Sequence, residues 1–151
     1  MRIPEILLDP KRSLLMIQPF TYSINYASLA TATSIDGSFT TQNDSDFIIT
    51  KTTYYSAPAT TAGPTESNQI KPWLTVLLTD SGSGRNLMAE AVMVDSLFGS
   101  AKLPFIWSMP YKVNGNSTMT ASLANISTGA GEAYVCRLQF HGVKIFYGGI
   151  K

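Results

Sequence analysis

Apolar residues recur at every second position along most of this chain, and that period restricts it to β structure. Between Trp73 and Thr79, Leu74, Val76 and Leu78 share one face while Thr75, Leu77 and Thr79 share the other. From Phe47 to about Tyr55, Phe47, Ile49, Lys51 and Thr53 alternate against Ile48, Thr50, Thr52 and Tyr54. The stretch 117–126 places Met119, Ala121 and Leu123 on one side. The last long run, 133–147, sets Tyr134, Cys136, Leu138 and Phe140 against Val135, Arg137, Gln139 and His141, with Gly142 marking a bulge or a break. Near the start, Leu14 to Gln18 forms a strand that Pro19 confines to a sheet edge or to a strand end.

Turn chemistry separates these runs. Asp36-Gly37 predicts a tight turn with a returning strand from Ser38 to Thr41, and Gln42 to Asp46 a second turn. Asp80 to Gly84 and Asn114-Gly115 predict two more, and Thr128 to Gly131 a hairpin closure between the last two strands. Asn86 to Val94 fits a strand or a short helix, because Met88, Ala91, Val92 and Asp95 also share a helical face. Leu97-Phe98-Gly99 and Leu103-Pro104-Phe105 bracket a tight bend. Ser56 to Gln69, rich in Ala, Thr, Pro and Gly, exceeds the usual connection length and reads as a functional protrusion or a disordered loop. About seven to nine strands with turn signals every ~8–12 residues predict an all-β fold, an antiparallel β-sandwich of jelly-roll-like form. It occupies residues 14–151 as a single domain, preceded by an N-terminal arm over 1–13 that holds two prolines and the short apolar patch Ile6-Leu7-Leu8.

Charge removes several functions. Charged residues make up 14% of the chain, net charge is +1, and no basic cluster exceeds Lys11-Arg12, so no nucleic-acid partner is expected. No stretch approaches the ~18 apolar residues that span a bilayer, so no membrane partner is expected either. The prolines and acids of the first ten residues do not suit a signal peptide, and one cysteine permits no internal disulfide. The expectation is a soluble protein made in a cytoplasm.

Candidate chemistry is sparse. Asp80-Ser81-Gly82-Ser83-Gly84-Arg85 has the glycines of a phosphate cradle but lacks the Lys and Ser/Thr that a P-loop places at a helix mouth, so a hairpin turn accounts for it. Asn43-Asp44-Ser45-Asp46 lacks the remaining ligands of a calcium loop, and turn formation by Asp and Asn explains it. The single His141 has no nucleophile elbow to serve, and Cys136 lies on an apolar strand face. No catalytic residue, metal or cofactor is assigned, and the chain is expected not to be an enzyme. A paired-carboxylate hydrolase, whose acids can lie far apart in sequence, is a further class. The aromatics Tyr22, Tyr26, Tyr54, Tyr55, Trp73, Trp107 and Tyr111 supply either core or a sugar-stacking platform. Glycosylation sequons at Asn43, Asn116 and Asn125 matter only on a secretory route.

The order of several short features carries a resemblance. An Asp-x-Asp-Phe turn opens a strand (Asp44-Ser45-Asp46-Phe47), and a later strand ends in Asp before a Gly-Arg step (Leu78-Thr79-Asp80, then Gly84-Arg85-Asn86-Leu87). Phe98-Gly99, Leu103-Pro104, a strand of small polar residues and a closing Gly142-Val143-Lys144 follow. Over roughly residues 40–147 this succession is similar to small β-sandwich virion proteins of tailed bacteriophages, in particular head decoration (cement) proteins. The resemblance implies a non-enzymatic structural protein on the capsid surface of a virion, made in the host cytoplasm. Its implied partners are the major capsid protein and further copies of itself, as a dimer or trimer. The contact residues it suggests are Ile6, Leu7 and Leu8 of the arm, Pro58 and Pro64 of the long loop, and Trp73 at that loop's exit. A glycan-binding or host-adhesion module of a phage tail or fibre is the alternative.

Overall fold

A computed structural model describes residues 8, 10, 12–59, 70–128 and 132–150. Nine strands and one helical turn follow in order: β1 (Arg12–Leu29), β2 (Ser34–Thr40), β3 (Ser45–Pro58), β4 (Leu74–Asp80), β5 (Arg85–Asn86), β6 (Val92–Met93), α1 (Val94–Leu97), β7 (Phe105–Val113), β8 (Thr118–Asn125) and β9 (Tyr134–Ile150). One sheet runs β1-β9-β3-β7; the other runs β2-β8-β4-β5, with β6 also on β4. Every pairing between these strands is antiparallel.

The pairings are nested. β1 pairs β9, β2 pairs β8, β3 pairs β7 and β4 pairs β5, so the chain doubles back on itself as one long hairpin. Its tip is the turn after Asp80, where Gly84 takes a φ of 64° and donates to the Asp80 carbonyl at 2.9 Å. Rolling that hairpin brings β9 against β3 and β8 against β4, which completes two sheets and makes the sandwich a jelly roll.

The apolar faces meet between the sheets. Leu74, Val76 and Leu78 of β4 and Met119, Ala121 and Leu123 of β8 are fully buried, opposite Phe47 and Ile49 of β3 and Leu138 and Phe140 of β9. Rings lock the centre: Tyr22 stacks on Phe39 at 4.3 Å, and Phe140 meets Phe98 edge-on at 5.3 Å. Each such side chain contributes about 1.5–3 kcal/mol through burial.

Glycines account for two departures from simple ladders. β3 carries one extra residue, Thr50, between the pairs Ile49↔Gly142 and Lys51↔His141, so Gly142 lies opposite a bulge and the strand continues. A Cβ at Gly142 would collide with the Ile48 carbonyl. The bulge changes the inward phase of β3 from Phe47 and Ile49 to Thr52 and Tyr54. Asp36-Gly37, expected as a turn, instead lies inside β2, paired with Ser122 and Ala121. Gly37 is needed because Ile24 and Tyr26 of the facing sheet occupy the place of its side chain. The actual turn is at Ala30–Thr33, with Ala32 at a φ of 54°.

The edge placement expected from Pro19 holds, and two further expectations change. β1 passes straight through Pro19, which pairs with Val143; the strand is the outer one of its sheet, where a missing N–H leaves no ladder bond unmade on the free side. Residues 86–94 are neither one strand nor one helix, but two short strands on the same edge of β4 followed by the turn of α1. The last two strands form no hairpin: β8 and β9 belong to different sheets. Strand β7, between the predicted bend and Asn114-Gly115, was not anticipated.

Candidate functional site

The sparse chemistry of the sequence is built into the frame. His141 faces outward on the four-stranded sheet, its Nε2 2.9 Å from Thr53 Oγ1 and its Nδ1 3.1 Å from Thr21 Oγ1. Thr53 donates to Gln139 Oε1 at 3.0 Å, so it accepts from Nε2–H, and Thr21 donates to Nδ1. Burial and then the nearby Lys51 charge hold this imidazole below its usual pKa, in keeping with a neutral ring. Two hydroxyls, rather than a carboxylate, occupy its nitrogens. Cys136 is buried in the core, and burial pushes its thiol up to about 12. Among the described residues no three of His, Cys, Asp and Glu come close enough to hold a metal ion.

The two acidic turns serve as ties. Asp80, buried, accepts from Gly82 N–H at 2.9 Å and from the Tyr111 hydroxyl at 2.8 Å, which links the hairpin tip to β7 of the other sheet. Burial, with Asp80 beside it, raises the Tyr111 pKa. Asp46 accepts from Gly115 N–H at 2.8 Å and pairs with Lys112 at 3.0 Å, joining the turn before β3 to the turn after β7. Neither tie is visible in the sequence, because each spans distant parts of the chain.

Of the aromatic residues singled out as a stacking platform, Trp73 alone is exposed, at 62%. Tyr22 and Tyr26 belong to the core, and Trp107 donates its Nε1–H to Thr52 at 3.2 Å. Trp73 stands just before β4 and lines a groove of about 640 Å³ with Ile126, Ser127, Thr128, Glu132 and Tyr134. Asn125 organises this end: its Nδ2 donates to the carbonyls of Leu29 and Glu132, and its Oδ1 accepts from Ser127 N–H. Its amide is thereby used and buried, so this sequon presents no free acceptor for a glycan.

The suggested contact residues fall in two places. Pro58 ends β3 as the cross-strand partner of Tyr134, which puts it and Trp73 at the same end of the sandwich. Leu8 packs on the outer face of the four-stranded sheet, against Ile48, Val143 and Ile145 of its own chain. Ile6, Leu7 and Pro64 lie outside the described residues.

Sequence reasoning missed the two edges of the four-stranded sheet. On β1, Leu14, Leu15, Met16 and Ile17 are all exposed, Leu15 at 70%. On β7, Ile106 and Met109 are 72% and 70% exposed, with Leu103 exposed just ahead of the strand. Four consecutive apolar residues at 14–17 were the available signal, since a strand buried on one face alternates instead. Comparison with protein-family models, with curated proteins and with solved structures finds no match to this chain in any of the three.

Proposed function

We propose that this chain is a non-enzymatic virion structural protein that binds the outside of a phage capsid and stabilises it. The observation that carries the proposal is the pair of exposed apolar edges on one sheet, Leu14–Ile17 and Ile106 with Met109. Large apolar side chains exposed along the edges of a rigid sheet mark interaction surfaces. A permanent interface suits them better than a transient one, because such surface is unfavourable in water whenever the partner leaves. The order of short motifs over residues 40–147 supports the same proposal.

In this proposal one apolar edge joins copies of the chain into a dimer or trimer, and the arm, the loop after Pro58 and Trp73 meet the major capsid protein. Stabilisation follows by linkage: a protein that binds the assembled, expanded shell better than free subunits shifts the equilibrium towards the shell. The molecule would be made in the host cytoplasm and finish on the capsid surface.

The test is cosedimentation with expanded capsids of the phage that encodes it, over a range of concentrations. Saturable binding at a fixed ratio to the capsid subunit is expected, and deleting residues 1–13 should weaken it. A folded protein that never pellets with capsids would remove the proposal. The exposed Trp73 beside Glu132 favours a second reading, a glycan-binding or adhesion module. Titration against a glycan panel separates the two.

A further inference from the structure

Strand β1 outruns the sheet that supports it. β3 begins at Ser45, the partner of Phe146, and beyond that pair β9 continues with β1 alone as far as Arg12↔Ile150. A two-stranded ribbon is marginally stable by itself in water. Leu14, Leu15, Met16 and Ile17 stand on this ribbon or at its root, and they are 43–70% exposed. Leu14 and Ile17 pair with Tyr147 and Ile145 of the outer face, whereas Met16 pairs with Phe146 on the opposite face. Leu15, the most exposed of the four, is the extra residue of a bulge against β9. A partner lying on one face of the sheet would leave part of this apolar group in water. A partner set against the open edge covers both faces.

The edge selects its occupant. From Ser13 to Ile35 no residue carries a charge, so β1 offers no ion pair with which to choose a charged partner. The opposite edge of the same sheet is obstructed. Between the pairs Ile49↔Tyr111 and Lys51↔Ile106, residues Trp107 to Pro110 of β7 all stand against Thr50 alone. On β1, Pro19 ends the run of main-chain N–H groups, which leaves Ser13 to Gln18 as the usable edge. A second β1, run antiparallel about a two-fold axis, matches that edge in length and apolar character, because an isologous contact repeats one patch on both sides. The four exposed side chains supply roughly half of the ~800 Å² that each partner of a standard interface buries, and the main chain and exposed Gln18 beside them add to it.

We infer that β1 of one copy joins β1 of a second copy edge to edge across a two-fold axis, with Leu14 to Ile17 at the centre of the contact. The inference rests on the self-association in the proposed function and fixes its surface, its symmetry and its number as two copies. The form of the dimer follows. The Trp73 and Pro58 end of each body lies at the other end of β1, where Leu29 pairs with Tyr134. Antiparallel β1 strands point these two ends in opposite directions. At ~3.3 Å per residue along β1 from Leu15 to Leu29 in each copy, they stand roughly 90 Å apart. The dimer is therefore elongated and bivalent, able to bridge two sites on one surface.

Sedimentation velocity and small-angle scattering of the full chain test it. A dimer is expected at micromolar concentration, with a longest dimension of about 100 Å or more. Leu15→Glu and Leu15→Lys should each raise the dissociation constant about a hundredfold or more, since the two-fold axis brings like charges together. Mixed in equal amounts, the two variants should recover a dimer, which an unfolded variant could not do. Ile106→Glu, on the obstructed edge, should leave the dimer unchanged. A monomer at about 100 μM, a trimer, a compact dimer, or dissociation by Ile106→Glu but not by Leu15→Glu would overturn the inference. Cosedimentation with capsids is read separately: a wild-type monomer that still pellets removes the dimer and keeps the capsid proposal, and a dimer that never pellets does the reverse.

Discussion

Tyr26 leaves β1, passes through the space above Gly37 and donates its hydroxyl to the Ala121 carbonyl at 2.6 Å. Ala121 is the cross-strand partner of Gly37, so one missing side chain lets a residue of one sheet bond the backbone of the other. An Asp-Gly step ordinarily signals a hairpin turn, and nothing local distinguishes a glycine chosen for φ from one chosen for space. The residues that fix the role of Gly37 lie 11 and 13 positions away, at Tyr26 and Ile24. Tyr26→Phe is expected to cost about 1–2 kcal/mol through the lost buried bond. Gly37→Ala should cost about 1–3 kcal/mol by driving Ile24 and Tyr26 aside. Because the alanine already displaces the phenol, the double variant should cost less than the two changes added together. Urea denaturation of the four proteins measures this coupling, and strict additivity would show that Tyr26 does not use the gap at Gly37.

Whether an element can be read depends on how it is buried. β4 and β8 have one face in the core and one towards solvent, so their alternation in sequence is the alternation in space. β7 lies at an edge, exposes Ile106 and Met109 and partly covers Tyr111, which blurs the period that would have announced it. β1 blurs differently, for Leu14 to Ile17 are exposed on both faces. Of the candidate sites, the exposure of Trp73 was legible as an isolated aromatic beside a loop. The small polar pocket that Asn43, Asn114 and Tyr147 line was not, because these residues meet only after the hairpin rolls. An exposed apolar edge also sets a prediction for β1. Leu15→Glu should change the monomer's stability by no more than ~0.5 kcal/mol, since little packing is lost. If β1 joins copies of the chain, the same change should convert the oligomer to monomer in sedimentation velocity, with the unfolding midpoint corrected for concentration. An unaltered mass would move the self-contact away from β1.

At the scale of the whole molecule, nested pairing makes β9 the partner of both β1 and β3, so the sheet depends on strands from the two ends of the body. Alternation predicts sandwich strands but not their partners, which is why the long hairpin was mistaken for successive short ones at β8 and β9. This arrangement also gathers the titrating groups onto one folded unit, and stability should follow pH with a flat centre and two falling sides. The unfolded chain takes up a proton at its one histidine near the ordinary value of 6.5, whereas folded His141 resists it. Below about 6.5 the unfolded state therefore binds more protons, and stability falls with falling pH until the lowered folded pKa is passed. On the alkaline side the unfolded thiol ionises near 9, while Cys136 holds its proton to about 12. Burial raises Tyr26 in the same direction. Folded protein binds more protons there, so stability falls as pH rises above about 9. Between about pH 5 and 6.5 no other side chain has an ordinary pKa in range, so His141 should dominate the acid slope at no more than one proton. Urea midpoints of wild type and His141→Gln across that window measure it. Gln can keep a bond to one of the two threonines and cannot titrate, so the slope should vanish in the variant while the alkaline fall is unchanged. A slope that survived the substitution would assign the acid sensitivity to some other group.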